Sequence, residues 1–319
     1  MSIDQSALSL GRDEAFTGFE QKPPLHIRIP TNLYRFTRRK PLGAFGGFLV
    51  LLLLVMAVTG GGLSAIVNRD MPSIAPYHYN EYKLGQDRLK GPSSEHWFGT
   101  DEFGRDVFSR LLYGAGVSVT IGVGVFALST TLSTFLTMIS GYYVTSVDLI
   151  LQRFIEIFGV LPDLIILISL MAIYGASPLT FVLTLGILNG INTSRVLRSV
   201  IIGLRGMPYI EAAKAIGATD KRILRHYILP NVFYLIIVGA TGGISGAIQA
   251  EAGLAIIGVG LNPNFPTWGT MLNASRELLR VAPWLAIFPA LMLAMTIFGF
   301  RLLGDALRDV LDPRLRGSR

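Results

Sequence analysis

The chain has 319 residues, a formal net charge of +7, no cysteine, and only 15% charged residues against 51% hydrophobic ones. A soluble globular protein carries about 25% charged residues; a mean hydropathy of +0.51, with the apolar residues gathered in blocks, excludes that class. The lack of cysteine excludes a disulfide framework, a thiolate metal site and a cysteine nucleophile.

Residues 1–33 are polar, contain Pro23-Pro24 and hold no sustained period, which predicts a flexible segment. Residues 34–40 mix aromatic and basic side chains, as expected at the headgroup level of a membrane. The first uncharged stretch, 41–68, is too long for a signal-peptide core and is read as a retained first span. Further uncharged stretches lie at 111–147, 164–194, 226–250 and 281–300. Each can cross a bilayer core of about 30 Å, which needs roughly 20 helical residues. The stretch 164–194 is too long for one helix, and Tyr174-Gly175-Ala176-Ser177-Pro178 is a turn signal inside it. Six spans are expected, at about 43–67, 113–143, 149–173, 179–203, 231–258 and 284–305. Unbroken apolar runs mean helices, because barrel strands would alternate in blocks of about ten residues. The expected fold is an all-α integral membrane bundle of six helices. A transmembrane domain is expected at 41–310, with an outer loop at 68–112 and a cytoplasmic loop at 204–230, between cytoplasmic tails at 1–40 and 311–319.

With the N-terminus inside, the cytoplasmic segments hold 20 of the 28 basic residues, and the outer loop from 69 to 110 is nearly neutral with six basic and seven acidic residues. This is the positive-inside pattern, and it places both termini in the cytoplasm. The pI near 9.7 then reports topology and contact with anionic lipid, not nucleic-acid binding.

In the outer loop, Thr100 is a candidate N-cap followed by Asp101 and Glu102. Asp101 and Arg105, and Asp106 and Arg110, are spaced i,i+4. A short amphipathic helix feeding the second span is expected. Gly99 to Asp106 also spells G-x-x-x-x-G-R-D, close to a phosphate loop, but no apolar strand precedes it and the lysine and hydroxyl are missing. The chain is therefore not expected to bind ATP itself. The fifth span contains two overlapping G-x-x-x-G pairs, Gly239 with Gly243 and Gly242 with Gly246, which suit close helix packing within the subunit or to a partner.

The stretch 206–230 reads GMPYIEAAKAIGATDKRILRHYILP. Pro208 suits the first helical position, Glu211 the first turn, and Gly217 a left-handed stop after about nine helical residues. Thr219 or Asp220 then caps a second helix expected to end at Pro230. Ala212 and Ala213 leave a surface without bulk, able to enter a groove on another protein.

This stretch, with E-A-A, a glycine three residues after Lys214, and Ile228-Leu229-Pro230, resembles the cytoplasmic signature of the membrane subunits of bacterial ABC importers. Phe98-Gly99-Thr100-Asp101 with Gly104-Arg105-Asp106, and Gly304-Asp305-Ala306-Leu307-Arg308-Asp309 with Leu311-Asp312-Pro313-Arg314, narrow the resemblance. Together the motifs are similar to the second permease subunit of the dipeptide, oligopeptide and nickel group, over about residues 35–315. The resemblance implies the six-helix ABC importer permease fold. It implies that Glu211, Ala212, Ala213 and Gly217 belong to a coupling helix docking on an ATPase subunit. It makes Gly99, Asp101, Gly104, Arg105 and Asp106 an outer-face motif. Implied partners are a second homologous permease, two ATPase subunits carrying the ATP and Mg, an external substrate-binding protein and membrane lipid. The implied location is a bacterial or archaeal cytoplasmic membrane. No cofactor is expected in this chain, and no catalysis. The cargo, whether dipeptide, oligopeptide, nickel chelate or oligosaccharide, is left open. The chain departs from the family pattern at Gly116, at Arg301 and at Ala255-Ile256-Ile257-Gly258.

Within the spans, Glu251 stands near the outer end of the fifth and Asp163 in the third beside Pro162. An intramembrane carboxylate defaults to a functional reading, so both are candidates for the substrate path. The alternatives are a structural hydrogen bond or interfacial position for Glu251 and simple helix capping for Asp163. A secondary transporter or channel working alone would need polar constellations at the midplane and often internal repeats, and the sequence carries neither. An intramembrane enzyme is disfavoured because His26, His78, His96 and His226 all lie outside the span interiors.

Overall fold

The computed structural model describes residues 36–38, 40–62, 73–82, 87–143, 146–262 and 265–311. The expected flexible stretch 1–33 and the tail residues 312–319 lie outside the described residues. Ten α-helices follow one another among the described residues: α1 (Pro41–Thr59), α2 (Val107–Tyr142), α3 (Ser146–Val160), α4 (Asp163–Tyr174), α5 (Pro178–Arg205), α6 (Pro208–Ala215), α7 (Asp220–Ile223), α8 (Leu229–Ile256), α9 (Trp268–Ser275) and α10 (Trp284–Leu311). A π-helical turn, Leu224–Ile228, joins α7 to α8.

Four segments are long and apolar enough to cross a membrane: α1, α2, the run from α7 through α8, and α10; α3 and α4 together make a fifth. α5 has the length, but Arg195, Arg198 and Arg205 crowd its last third and dilute its apolarity. The six expected spans are compatible with these helices. α1 exposes Phe45, Phe48, Leu51, Val55 and Val58, an apolar surface that only lipid or another membrane helix satisfies.

Neighbouring helices fix the directions of travel. Along α2 and α5, Gly124 meets Val182, Leu128 meets Gly186, Leu132 meets Gly190 and Gly141 meets Ile201, so the two run parallel. α8 runs antiparallel to α2, with Gly122 near Ile248 and Phe126 near Gly243. α1 runs antiparallel to α10, where Gly43 meets Ala306 and Gly46 meets Gly299. Lys40 Nζ pairs with Asp309 Oδ2 at 2.5 Å, joining the entrance of α1 to the exit of α10. Asp148 of α3 takes a two-pronged ion pair from Arg198 of α5, at 2.9 Å from Nε and 2.5 Å from Nη2. The pair is only partly shielded, the carboxylate being 6% and the guanidinium 27% exposed.

Three local expectations need correction. The outer helix does not begin at Thr100: residues 101–105 form a turn, Thr100 bridges Asp106, and α2 starts at Val107. The carboxylate of Asp101 explains this, since it accepts from the Phe103 and Arg105 amides and holds the turn closed. The third span is not one plain helix but breaks after Val160, where α3 and α4 meet at 81°. Pro162 has no amide hydrogen to continue the ladder. The second helix of the 206–230 stretch does not stop at Pro230, which lies instead in the first turn of α8. The Pro230 ring would crowd the His226 carbonyl four residues back, and the wider π turn immediately before it relieves that clash.

Candidate coupling loop and polar cleft

Two features of opposite character occupy the bundle. The first is the loop between α5 and α8. Its floor is an apolar cluster of Tyr142, Leu197, Ile201, Ile210, Ile223, Ile228 and Val232, contributed by the ends of α2, α5 and α8 and by the loop itself. Burying Ile210, Ile223 and Ile228 completely fixes α6 and α7 beneath the helices, each side chain worth about 1.5–3 kcal/mol.

α6 is built as its sequence demands. Pro208 is its first residue and Glu211 lies in the first turn, where the helix dipole favours an acid. Its end is a complete left-handed cap: the Gly217 amide donates to the Lys214 carbonyl and the Ala218 amide to the Ala213 carbonyl, with Gly217 at φ +84. No neighbour comes within 4 Å of a β-carbon placed there, so the glycine is required by backbone conformation, not by space. Glu211, Ala212 and Gly217 are exposed, whereas Ala213 is 4% exposed and faces the bundle. Ile216 is 83% exposed at the C-cap, an apolar side chain that the sequence reading passed over.

The loop is tied to α2. The Tyr142 hydroxyl, on the last residue of α2, donates to Asp220 at 2.6 Å, and Lys214 Nζ stands 5.7 Å over the Tyr142 ring.

The second feature is a cleft of about 620 Å³ among α2, α4, α5 and α8. Ser129, Thr130 and Ser133 from α2 and Asn189 and Thr193 from α5 make one wall polar, and Asp163 enters from the first residue of α4. On the α8 wall, Gly239, Gly243 and Gly246 leave gaps among Leu235, Ile236, Ala247 and Ala250. Of the two G-x-x-x-G pairs, Gly243 packs against Phe126, and Gly239, Gly242 and Gly246 meet nothing within 4 Å among the described residues. Pro162 is the N-cap of α4 and has no side-chain capping bond, so Asp163 stands one position inside the helix. Glu251 is 1% exposed and does not line the cleft. Its carboxyl lies within reach of the Thr267 side chain ahead of α9, and its Oε1 has no partner.

The outer-face motif folds its own segment. Gly99, at φ +77, brings its backbone against the Lys90 carbonyl, where a β-carbon would stand 2.6 Å away. Asp101 Oδ2 receives Arg105 Nε at 2.6 Å across the turn that contains Gly104. Asp106 caps α2, its Oδ2 accepting from the Ser109 amide at 2.8 Å and hydroxyl at 2.7 Å. Its Oδ1 lies 2.9 Å from Nδ1 of the buried His96. Arg110 therefore does not pair with Asp106; its Nη1 donates to the Tyr79 carbonyl at 3.0 Å. The departure at Gly116 has a packing counterpart, since a β-carbon there would lie 2.5 Å from the Gly62 α-carbon. Among the described residues, no group of three His, Asp or Glu could hold a metal ion.

Residues 133–317 match the model of the family described as binding-protein-dependent transport system inner membrane component. The chain is 40% identical over 230 residues to the dipeptide transport system permease protein DppC of Alkalihalophilus pseudofirmus, covering 72% of this chain and 76% of that protein. It is 33% identical over 307 residues to the glutathione transport system permease protein GsiD of Escherichia coli, covering 96% and 98%. The corresponding GsiD of Shigella boydii is 34% identical over 295 residues, covering 92% and 94%.

Proposed function

The chain belongs to the family of binding-protein-dependent transport system inner membrane components, and from that membership we propose that it is a permease subunit of an ATP-driven peptide importer. The peptide cargo is supported by relatives named for dipeptide and glutathione transport. The observation that carries the mechanism is α6, an eight-residue helix seated on an apolar floor under three bundle helices with Ile216 turned outward. In the proposed assembly this helix docks on one of two ATPase subunits, which hold the ATP and Mg. A second, homologous permease completes the translocation path, and a substrate-binding protein delivers cargo on the opposite face. Glu211, Ala212, Ala213 and Gly217 form the coupling element, and both chain termini are cytoplasmic. ATP-driven closure of the ATPase pair moves α6, and the motion passes through Tyr142 and Asp220 into α2, which lines the cleft. The chain itself performs no chemistry. Asp163 serves the substrate path, whereas Glu251 holds α8 to the Thr267 corner.

The test is reconstitution into proteoliposomes. The chain alone should neither bind nor hydrolyse ATP, and peptide uptake should require the second permease, the ATPase subunits and loaded binding protein together. Saturable nucleotide binding by the isolated chain would overturn the proposal. Peptide uptake by the chain without ATPase partners would favour a secondary transporter.

A further inference from the structure

The polar cleft carries an asymmetry of charge and of hydrogen-bonding capacity. Among the described residues that line it, Asp163 is the one ionisable side chain. Asp163 forms no ion pair among the described residues. Arg195 on α5 makes no ion pair with it; its Nη2 donates to the Ile155 carbonyl at 2.7 Å. Position one of α4 favours negative charge through the helix dipole.

A neutral group on the facing wall leans the same way. Ser129 donates its hydroxyl hydrogen to the Phe126 carbonyl, and Ser133 donates to the Thr130 carbonyl. Having spent its donor on its own helix, the Ser129 hydroxyl keeps only acceptor lone pairs for the cleft, whereas Ser133 is fully buried. An acceptor-rich wall beside an unpaired carboxylate suits a ligand that is rich in donors and positively charged. It offers a ligand carboxylate no cation. In the interior of a membrane, where an uncompensated charge is expensive, an arriving cation is the species that relieves Asp163.

We propose that Asp163 and the Ser129 and Asn189 walls of this cleft recognise a protonated amine of the passing peptide, at its terminus or on a basic side chain, so that this permease favours cationic over anionic cargo at the translocation step. This inference rests on the importer reading above. The selection is separate from that made by the binding protein, and it belongs to the moving complex.

The experiment uses the full reconstituted importer with binding protein saturated by each peptide, so that delivery is equal. One peptide pair differs by lysine against norleucine, the other by a free against an acetylated amino terminus. In the unaltered complex the amine-bearing member of at least one pair should be translocated faster. Asp163→Asn should reduce that preference about tenfold, the contribution of one charge-assisted hydrogen bond, and Asp163→Glu should retain it. Asn189→Asp, a near-isosteric change that adds a carboxylate to the wall, should strengthen it, and serves if Asp163→Asn fails to assemble. Which pair responds distinguishes the terminus from the side chain. Equal rates within both pairs, or a preference unchanged in Asp163→Asn and Asn189→Asp, would overturn the inference. Failure of the importer reading is a different result, because loaded binding protein would then stimulate neither ATP hydrolysis nor uptake of any peptide.

Discussion

Ala213 lies within α6 and Ile216 three residues on, at its C-cap, yet one is buried and the other exposed. The E-A-A string marks the loop but leaves the outward side of an eight-residue helix undetermined. That side is decided by the cluster above it, which claims Ile210 and buries Ala213 to 4% exposure. Ala213 was expected to enter a partner's groove, but its side chain is spent inside the chain, and a bulky replacement would lift α6 off its own floor. Ile216 remains for the partner at 83% exposed, and burying it is worth about 2 kcal/mol. Ile216→Glu should lower binding-protein-stimulated ATP hydrolysis about tenfold or more at matched subunit levels. Full stimulation in that variant would remove Ile216 from the docking surface. Gly217 was legible, because a glycine after a short helix has a defined backbone use. Gly217→Val forces a β-branched residue to φ +84, at about 1–2 kcal/mol, and should disturb coupling without disturbing insertion. Wild-type transport by Gly217→Val would mean that the shape of this cap is unimportant.

α2 is the element on which both features meet. It starts under the Asp106 cap, passes Ser129 and Ser133 at the cleft, and ends at Tyr142 on the loop. A single stiff rod therefore reaches from the substrate path to the coupling element. Tyr142→Phe keeps the ring and removes the hydroxyl that holds Asp220 at 2.6 Å. Peptide uptake per ATP hydrolysed should fall severalfold, with assembly unchanged, since one hydrogen bond contributes about 1 kcal/mol. An unchanged ratio would show that motion reaches α2 by another route. The start of this rod was misjudged in the sequence because Thr100 and Asp106 are both good caps. The contest is settled by Asp101, whose carboxylate consumes two turn amides that a helix would have needed. Similarly, the third span was expected unbroken; Pro162 accounts for the break between α3 and α4 but not for its 81° angle.

Across the whole molecule, apolar blocks were enough to locate α1, α2, α8 and α10, because lipid leaves the backbone few alternatives to a helix. α9 was not anticipated: its eight residues are too short to leave a periodic signal, and what fixes it is Trp268, buried with its indole N–H donating to the Leu111 carbonyl at 3.1 Å. The asymmetry of basic residues also assigns sides. In a chain without native cysteine, a cysteine at Ser94 should react with an impermeant reagent from outside intact cells, and one at Ala218 should not. Labelling at Ala218 from outside would reverse the assigned orientation. The surface ion pair between Lys40 and Asp309 bears on the same question through parity. Two groups 2.5 Å apart sit on one side of a membrane, so the chain between them crosses an even number of times. α2 and α5 travel in the same direction, with the bent α3–α4 pair between them, an arrangement compatible with six crossings.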